Sequence, residues 1–190
     1  MMEQRETFGL LRVAAASPWL RVADCAANAQ RILALLARAE REGVALLVFP
    51  ELCLTGYTCG DLFQQQALQH AALAALDEVR EVTSTQFSGI AVVGLPLTVR
   101  GQLFNTAAVL SCGRILGVVP KSFLPNYKEF YERRWFAPAQ AAATISDQTR
   151  ALASVSERSI DHRVSSWRLP VRVVVNSDHD QLLFVPVSAD

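Results

Sequence analysis

Short apolar runs alternate with segments whose apolar residues recur at helical spacing over the first 140 residues, and this restricts the chain to mixed α/β architectures. Leu11 to Ala16 is a compact run suited to a buried strand. Asp24 can then cap a helix, because its carboxylate can accept a hydrogen bond from an early backbone N–H. Ala29, Ile32, Leu33, Leu36 and Ala39 keep helical spacing up to a stop at Gly43. Val44 to Phe49 is a continuous apolar strand ending at Pro50, and Gln64 to Val82 reads as a second helix with Leu68, Ala71, Ala72, Ala75, Leu76 and Val79 on its inner stripe. Three strands follow, at Ile90–Gly94, Asn105–Leu110 and Ile115–Val119, the last two joined by a Cys112-Gly113 turn. The order strand, helix, strand, helix, strand, strand, strand predicts a layered α/β domain.

Residues 141–190 have a different character. All nine glycines lie before residue 141, whereas serine rises from five in the first 140 residues to eight in the last 50. Val171–Val175 and Leu182–Val187 read as strands, but Thr149 to Arg168 is polar without a period. The expected organisation is therefore a folded unit over 1–140 and a divergent or poorly ordered tail over 141–190, where proteolysis should cut first between Thr144 and Trp167.

Composition excludes several classes of function. With 18 basic and 18 acidic residues the net charge is zero, which offers no electrostatic attraction to nucleic acid or an anionic membrane. The four cysteines (Cys25, Cys53, Cys59, Cys112) contain no CxxC pair, and the three histidines (His70, His162, His179) are distant from them in sequence, so no metal site is expected. No apolar run reaches the roughly 18 residues of a membrane span. Glu3 and Glu6 occupy the region where a signal peptide is basic, so the expected location is cytoplasmic.

Two stretches can carry chemistry. In VFPELCLTGYTCGDLF (48–63), Glu51 follows a buried strand, at the end of an α/β sheet where ligands bind, and is placed to act as a general base. Gly56 and Gly60 around Tyr57 point to a loop with unusual backbone angles. In PKSFLPNYKEFYERRWF (120–136), Lys121 also ends a strand, and burial against Phe123 and Leu124 would be costly without a compensating carboxylate. Glu51 and Lys121 are therefore expected within a few ångströms of each other. The bland readings are a solvated loop acid, a surface lysine, aromatics (Tyr127, Phe130, Tyr131, Trp135, Phe136) used for packing, and a solvated face of Glu129, Glu132, Arg133 and Arg134.

Together the two stretches, with GLPLTVRGQLFNTAAVLSCGRILGVVPK (94–121) between them, resemble the nitrilase (carbon-nitrogen hydrolase) superfamily over residues 9–138. More narrowly they resemble the N-terminal glutaminase domain of glutamine-dependent NAD synthetases. The resemblance implies a layered α-β-β-α sandwich, incomplete in its C-terminal part. It places Glu51 on the family's general base, Lys121 on its catalytic lysine, Glu132 on a second acidic position that orders the site, and Tyr127 on a position contacting the glutamine substrate. It implies no cofactor for amide hydrolysis, ATP and magnesium for a C-terminal synthetase domain, L-glutamine as substrate, and a homo-oligomer.

The resemblance also implies a cysteine nucleophile well beyond the lysine, yet no cysteine follows Cys112. DHDQLLFVPV (178–187) faintly resembles the family's segment upstream of that cysteine, so the expectation is a chain cut before the nucleophile, without activity alone. Neither Cys53 nor Cys59 is expected to substitute, since a nucleophile must lie within hydrogen-bond reach of its base. The alternatives are a non-catalytic nitrilase-like module for binding or assembly, and an amidase of the same superfamily with another substrate.

Overall fold

The computed structural model describes residues 10–139 in full and 182–188 as backbone. Along the chain these form β1 (Leu10–Ala16), α1 (Cys25–Arg41), β2 (Leu46–Val48), α2 (Gln66–Val82), β3 (Ile90–Val99), β4 (Gln102–Ser111), β5 (Arg114–Pro120) and β6 (Leu182–Ser188). The strands make one sheet in the order β5-β4-β3-β2-β1-β6. β1, β2 and β3 run parallel, so α1 and α2 are the crossovers between them. Both crossovers step the same way across the sheet, and their usual right-handedness puts both helices on one face. The hairpins β3–β4 and β4–β5 and the β1–β6 pair are antiparallel.

Local sequence accounts for most boundaries. The Asp24 carboxylate accepts the Ala27 N–H at 3.1 Å, as expected of the cap. Helix α2 begins at Gln66 rather than Gln64, because Gly60–Gln64 forms a tighter 3₁₀ turn first. The β4–β5 turn is the expected Cys112-Gly113, with φ of 50° and 72°; positive φ at both central positions matches the twist of the flanking strands. A second such turn, Arg100-Gly101, was not foreseen, and β3 extends past its expected end at Gly94. Pro96 is tolerated there because β3 has no strand partner on its β2 side beyond Val92, so a missing N–H costs no ladder bond.

Ala14, Leu47, Ala91, Val93, Ala108 and Leu110 face the helices and meet Ala29, Ile32, Leu36 and Ala39 of α1 and Ala72, Leu76 and Val79 of α2, all buried. Two positions on the stripes differ from expectation: Leu35 is buried while Leu33 is only partly so, and Ala71 is exposed. The opposite sheet face carries Leu11, Val48, Ile90 and Val119, all exposed. Among the described residues no element covers it, so one helix layer and one sheet of the expected four layers are present. The strand expected at Leu182–Val187 is β6. The remaining expectations for 141–190, including Val171–Val175, the polar Thr149–Arg168 stretch and its early proteolysis, lie outside the described residues.

Candidate active site

After β2 the chain leaves the sheet and crosses over β3. Gly94 makes the crossing possible: a Cβ there would lie 2.4 Å from Leu52 N, 2.7 Å from Pro50 O and 3.0 Å from Glu51 C, all backbone atoms. Leu52, with φ of 53°, occupies the left-handed region, at a cost of about 1–3 kcal/mol for a side chain of its kind. The surrounding turn compensates. The Leu52 carbonyl accepts the Thr55 and Gly56 N–H groups at 3.1 and 2.8 Å and the Thr55 hydroxyl at 3.2 Å, and the Leu54 N–H donates to Gly94 O at 3.1 Å. Buried Asn28 of α1 ties the far side of this loop down by donating to Leu54 O at 3.1 Å and Arg21 O at 2.8 Å. Glu51 is thereby held over the carboxyl ends of the parallel strands.

Lys121 arrives from the end of β5, anchored by its own N–H on Asn105 O at 2.8 Å. Its Nζ lies 2.8 Å from Glu51 Oε1 and 2.9 Å from Glu132 Oε1. Glu132 is only 2% exposed and sits in a short turn whose backbone is closed by the Trp135 and Phe136 N–H groups on its carbonyl, at 3.0 and 2.8 Å. The rings of Trp135 and Phe136 pack on Phe63, with centroids 6.0 and 5.0 Å away. Arg134 and the Trp135 indole both bind Asp61, pinning this turn to the Gly60–Gln64 turn. Two further donors complete the cluster: the Tyr57 hydroxyl donates to Glu132 Oε1 at 2.5 Å, and Asn105 Nδ2 donates to Glu51 Oε1.

The electrostatics follow from one ammonium between two carboxylates. Burial pushes the Lys121 pKa down, but the hydrogen bonds and charges of Glu132 and Glu51 outweigh it, and the net shift is upward from 10.5. Burial, with the Glu132 hydrogen bond and the charges of Glu132 and Glu51, raises the Tyr57 phenol well above its usual value. The site therefore keeps an ammonium and a neutral phenol at neutral pH. Glu132 Oε2 is buried without a hydrogen-bond partner. Lys121 uses two of its three N–H donors on the carboxylates, leaving the third for another acceptor.

The expected pair of Glu51 and Lys121 is thus in contact, and Glu132 joins it, buried rather than on a solvated face. Tyr127 does not reach these three side chains by any hydrogen bond. It is exposed, stacks edge-on against Phe130, and lines a surface groove of about 520 Å³ with Phe123, Leu124, Pro125, Asn126 and Arg133. Cys53 is buried and bound to Gly94 O and N, with its thiol pushed up to about 12, mainly by burial. Cys59 is buried and donates to Thr55 O and Gly56 O. Among the described residues no thiol hydrogen-bonds Glu51, no group of three His, Cys, Asp or Glu could hold a metal, and no helix is long and apolar enough to cross a membrane. Three contributors escaped the sequence reading: Gly94, Asn105 and Tyr57. Only Tyr57 carried a local signal, its place between Gly56 and Gly60.

Comparison with known proteins gives a consistent result. The family model for carbon-nitrogen hydrolases matches residues 10–159. The glutamine-dependent NAD(+) synthetase of Mycobacterium tuberculosis is 47% identical over 131 residues, covering 68% of this chain and 19% of that protein. The glutamine-dependent NAD+ synthetase of Acinetobacter baumannii, solved with ADP, superposes with a TM-score of 0.63 at 31% identity, over 68% of this chain and 24% of that one. An amidase from Nesterenkonia sp. superposes with a TM-score of 0.58 at 26% identity, over 67% of this chain and 48% of that one. The chain spans about a fifth of the length of the mycobacterial synthetase it matches.

Proposed function

The chain belongs to the carbon-nitrogen hydrolase family, and from that premise we propose that Glu51, Lys121 and Glu132 form the proton-transfer and oxyanion-binding part of a glutamine amidohydrolase site that supplies ammonia for NAD synthesis. The observation that carries this reading is the bridging ammonium of Lys121, with one donor unspent, beside two carboxylates that share it through Oε1 and whose Oε2 atoms receive no donor among the described residues. Such a set suits a primary carboxamide. The third Lys121 N–H can meet the carbonyl oxygen and gains strength as that oxygen becomes an oxyanion, while a carboxylate oxygen can accept the amide N–H.

In the reaction a cysteine thiol loses its proton to Glu51, the sulfur bonds to the amide carbon, and the tetrahedral oxyanion rests on Lys121. Glu51 returns the proton to the nitrogen as the C–N bond breaks, releasing ammonia and leaving a thioester, which water converts to glutamate. Losing one oxyanion donor in such a site costs about 2.7–4 kcal/mol. The nucleophile is none of the four thiols of this chain: Cys53 is locked against Gly94 and resists ionisation, and the others make no bond to Glu51. The resemblance to NAD synthetases supports L-glutamine as substrate, a hydrolytic step without cofactor, ATP and magnesium confined to a synthetase domain, and a homo-oligomeric cytoplasmic enzyme.

The test transplants residues 10–139 in place of the matching segment of the mycobacterial synthetase. The chimera should release ammonia from L-glutamine, and E51Q or K121M should cut that release about 100-fold or more. The chain alone should release none. A folded chimera whose turnover ignores both substitutions would overturn the reading, as would turnover by the chain alone that Cys53→Ala or Cys59→Ala abolishes.

A further inference from the structure

We infer that Asn105 is the positioning residue of this site, one side chain and one carbonyl on β4 that hold Glu51 and Lys121 together and leave Glu51 Oε2 as the working base oxygen; this rests on the functional reading above. Asn105 is 3% exposed, on a strand already paired on both sides, so its backbone is the most constrained near the cluster. Its carbonyl accepts the Lys121 N–H at 2.8 Å, which fixes where the lysine leaves β5. Its amide nitrogen donates to Glu51 Oε1. A carboxylate can only accept, so the nitrogen, and not the amide oxygen, must face it.

The consequence is an asymmetric carboxylate. Oε1 receives both Asn105 Nδ2 and Lys121 Nζ, while Oε2 receives neither. A proton arriving from a nucleophile therefore meets one oxygen that neither Asn105 nor Lys121 occupies. Glu51 needs such an anchor. Its side chain is 40% exposed, and Lys121, the other group that holds it, is itself a flexible chain shared with Glu132. A buried amide on a central strand supplies the rigid point that two mobile charged groups lack. Asparagine inside a strand is otherwise a poor choice, since it favours turns and brings a polar group that must be satisfied when buried.

The experiment uses the whole 190-residue chain and reads order rather than turnover, so it stands apart from the ammonia assay. Side-chain couplings measured by NMR should show Glu51 in one rotamer in the unmodified chain and in at least two in Asn105→Leu, which keeps the branching at Cγ and removes the donor. Exchange of the Asn105 side-chain amide protons should quicken about tenfold in Glu51→Ala, the scale of one hydrogen bond to a charged group, and stay unchanged in Gln30→Ala, which lies on α1. Asn105→Asp separates positioning from packing. The new carboxylate keeps the size of the amide but repels Glu51, which should lose its single rotamer. Retained Lys121 amide protection in each variant reports that the β4–β5 ladder is folded. A single Glu51 rotamer in both variants at neutral pH, or Asn105 amide protons indifferent to Glu51→Ala, would overturn the inference even if the chimera hydrolyses glutamine. An inactive chimera would overturn the functional reading and leave these measurements intact.

Discussion

Gly94→Ala tests the crossing on which the whole site depends. The added methyl would stand 2.4 Å from Leu52 N, whereas ordinary contact begins at 3.4 Å, so something must move by a full ångström. None of the three nearest atoms can swing aside, because all belong to the backbone of Pro50, Glu51 and Leu52. Overpacking of this kind costs about 1–3 kcal/mol, and rigid neighbours place this case at the upper end. For a domain of this size that corresponds to a fall in Tm of about 6–12 °C. The same ångström would stretch the 2.8 Å contact between Glu51 and Lys121 beyond hydrogen-bond length. Gly117→Ala is the matched control, since a Cβ on that β5 residue meets nothing within 4 Å. It should change stability by less than about 1 kcal/mol. Thermal and urea unfolding of both variants, with side-chain NMR of Glu51, make the measurement. Equal stability of the two, with Glu51 undisturbed, would refute the claim that β3 must be bare at this point for Glu51 to reach its place.

Three further outcomes follow from the site and its surroundings. Lys121→Met leaves the buried Glu132 carboxylate with Tyr57 as its remaining donor and should destabilise the fold by about 1–3 kcal/mol in urea titrations; an unchanged urea midpoint would show that the ammonium does not compensate the buried charge. Lys121, Tyr57 and Cys53 all have pKa values raised by the fold, so each contributes stability that is complete below its unfolded value and is lost as pH rises toward its folded one. Unfolding free energy should therefore decline from about pH 9, where free thiols begin to ionise, upward, and a flat profile between pH 9 and 12 would contradict the assignments. Thiol labelling of the native protein near pH 8 should modify the exposed Cys112 quickly and Cys25, Cys53 and Cys59 only after denaturation; rapid labelling of Cys53 would show that it is not locked against Gly94.

Much of this molecule could be read from its residues in order. The Asp24 cap, the Cys112-Gly113 turn and the stripes of α1 and α2 depend on neighbours within a few positions, and local chemistry suffices to place them. Glu51 and Lys121 could be paired because each follows a strand: β2 is parallel to β3, and the two hairpins after β3 reverse the chain twice, so β2 and β5 end on the same side of the sheet. Contacts between distant residues leave no such local trace. The flanking charges Glu129, Arg133 and Arg134 locally suggest a solvated face for Glu132, and only the family resemblance placed it at the site; it is buried, and its hydroxyl partner Tyr57 lies 75 positions away in the sequence.

The sequence by itself determined the elements and their order, paired Glu51 with Lys121 at strand ends, and added Glu132 through the family resemblance. Only the tertiary structure decided that Gly94 must be bare, that Asn105 faces a carboxylate, and that Tyr57 meets Glu132, contacts that join residues 41 to 75 positions apart. The reason is physical. Capping and periodicity are set by covalent neighbours, whereas a close backbone approach or a buried hydrogen bond exists only once the sheet register has brought distant residues to the same place.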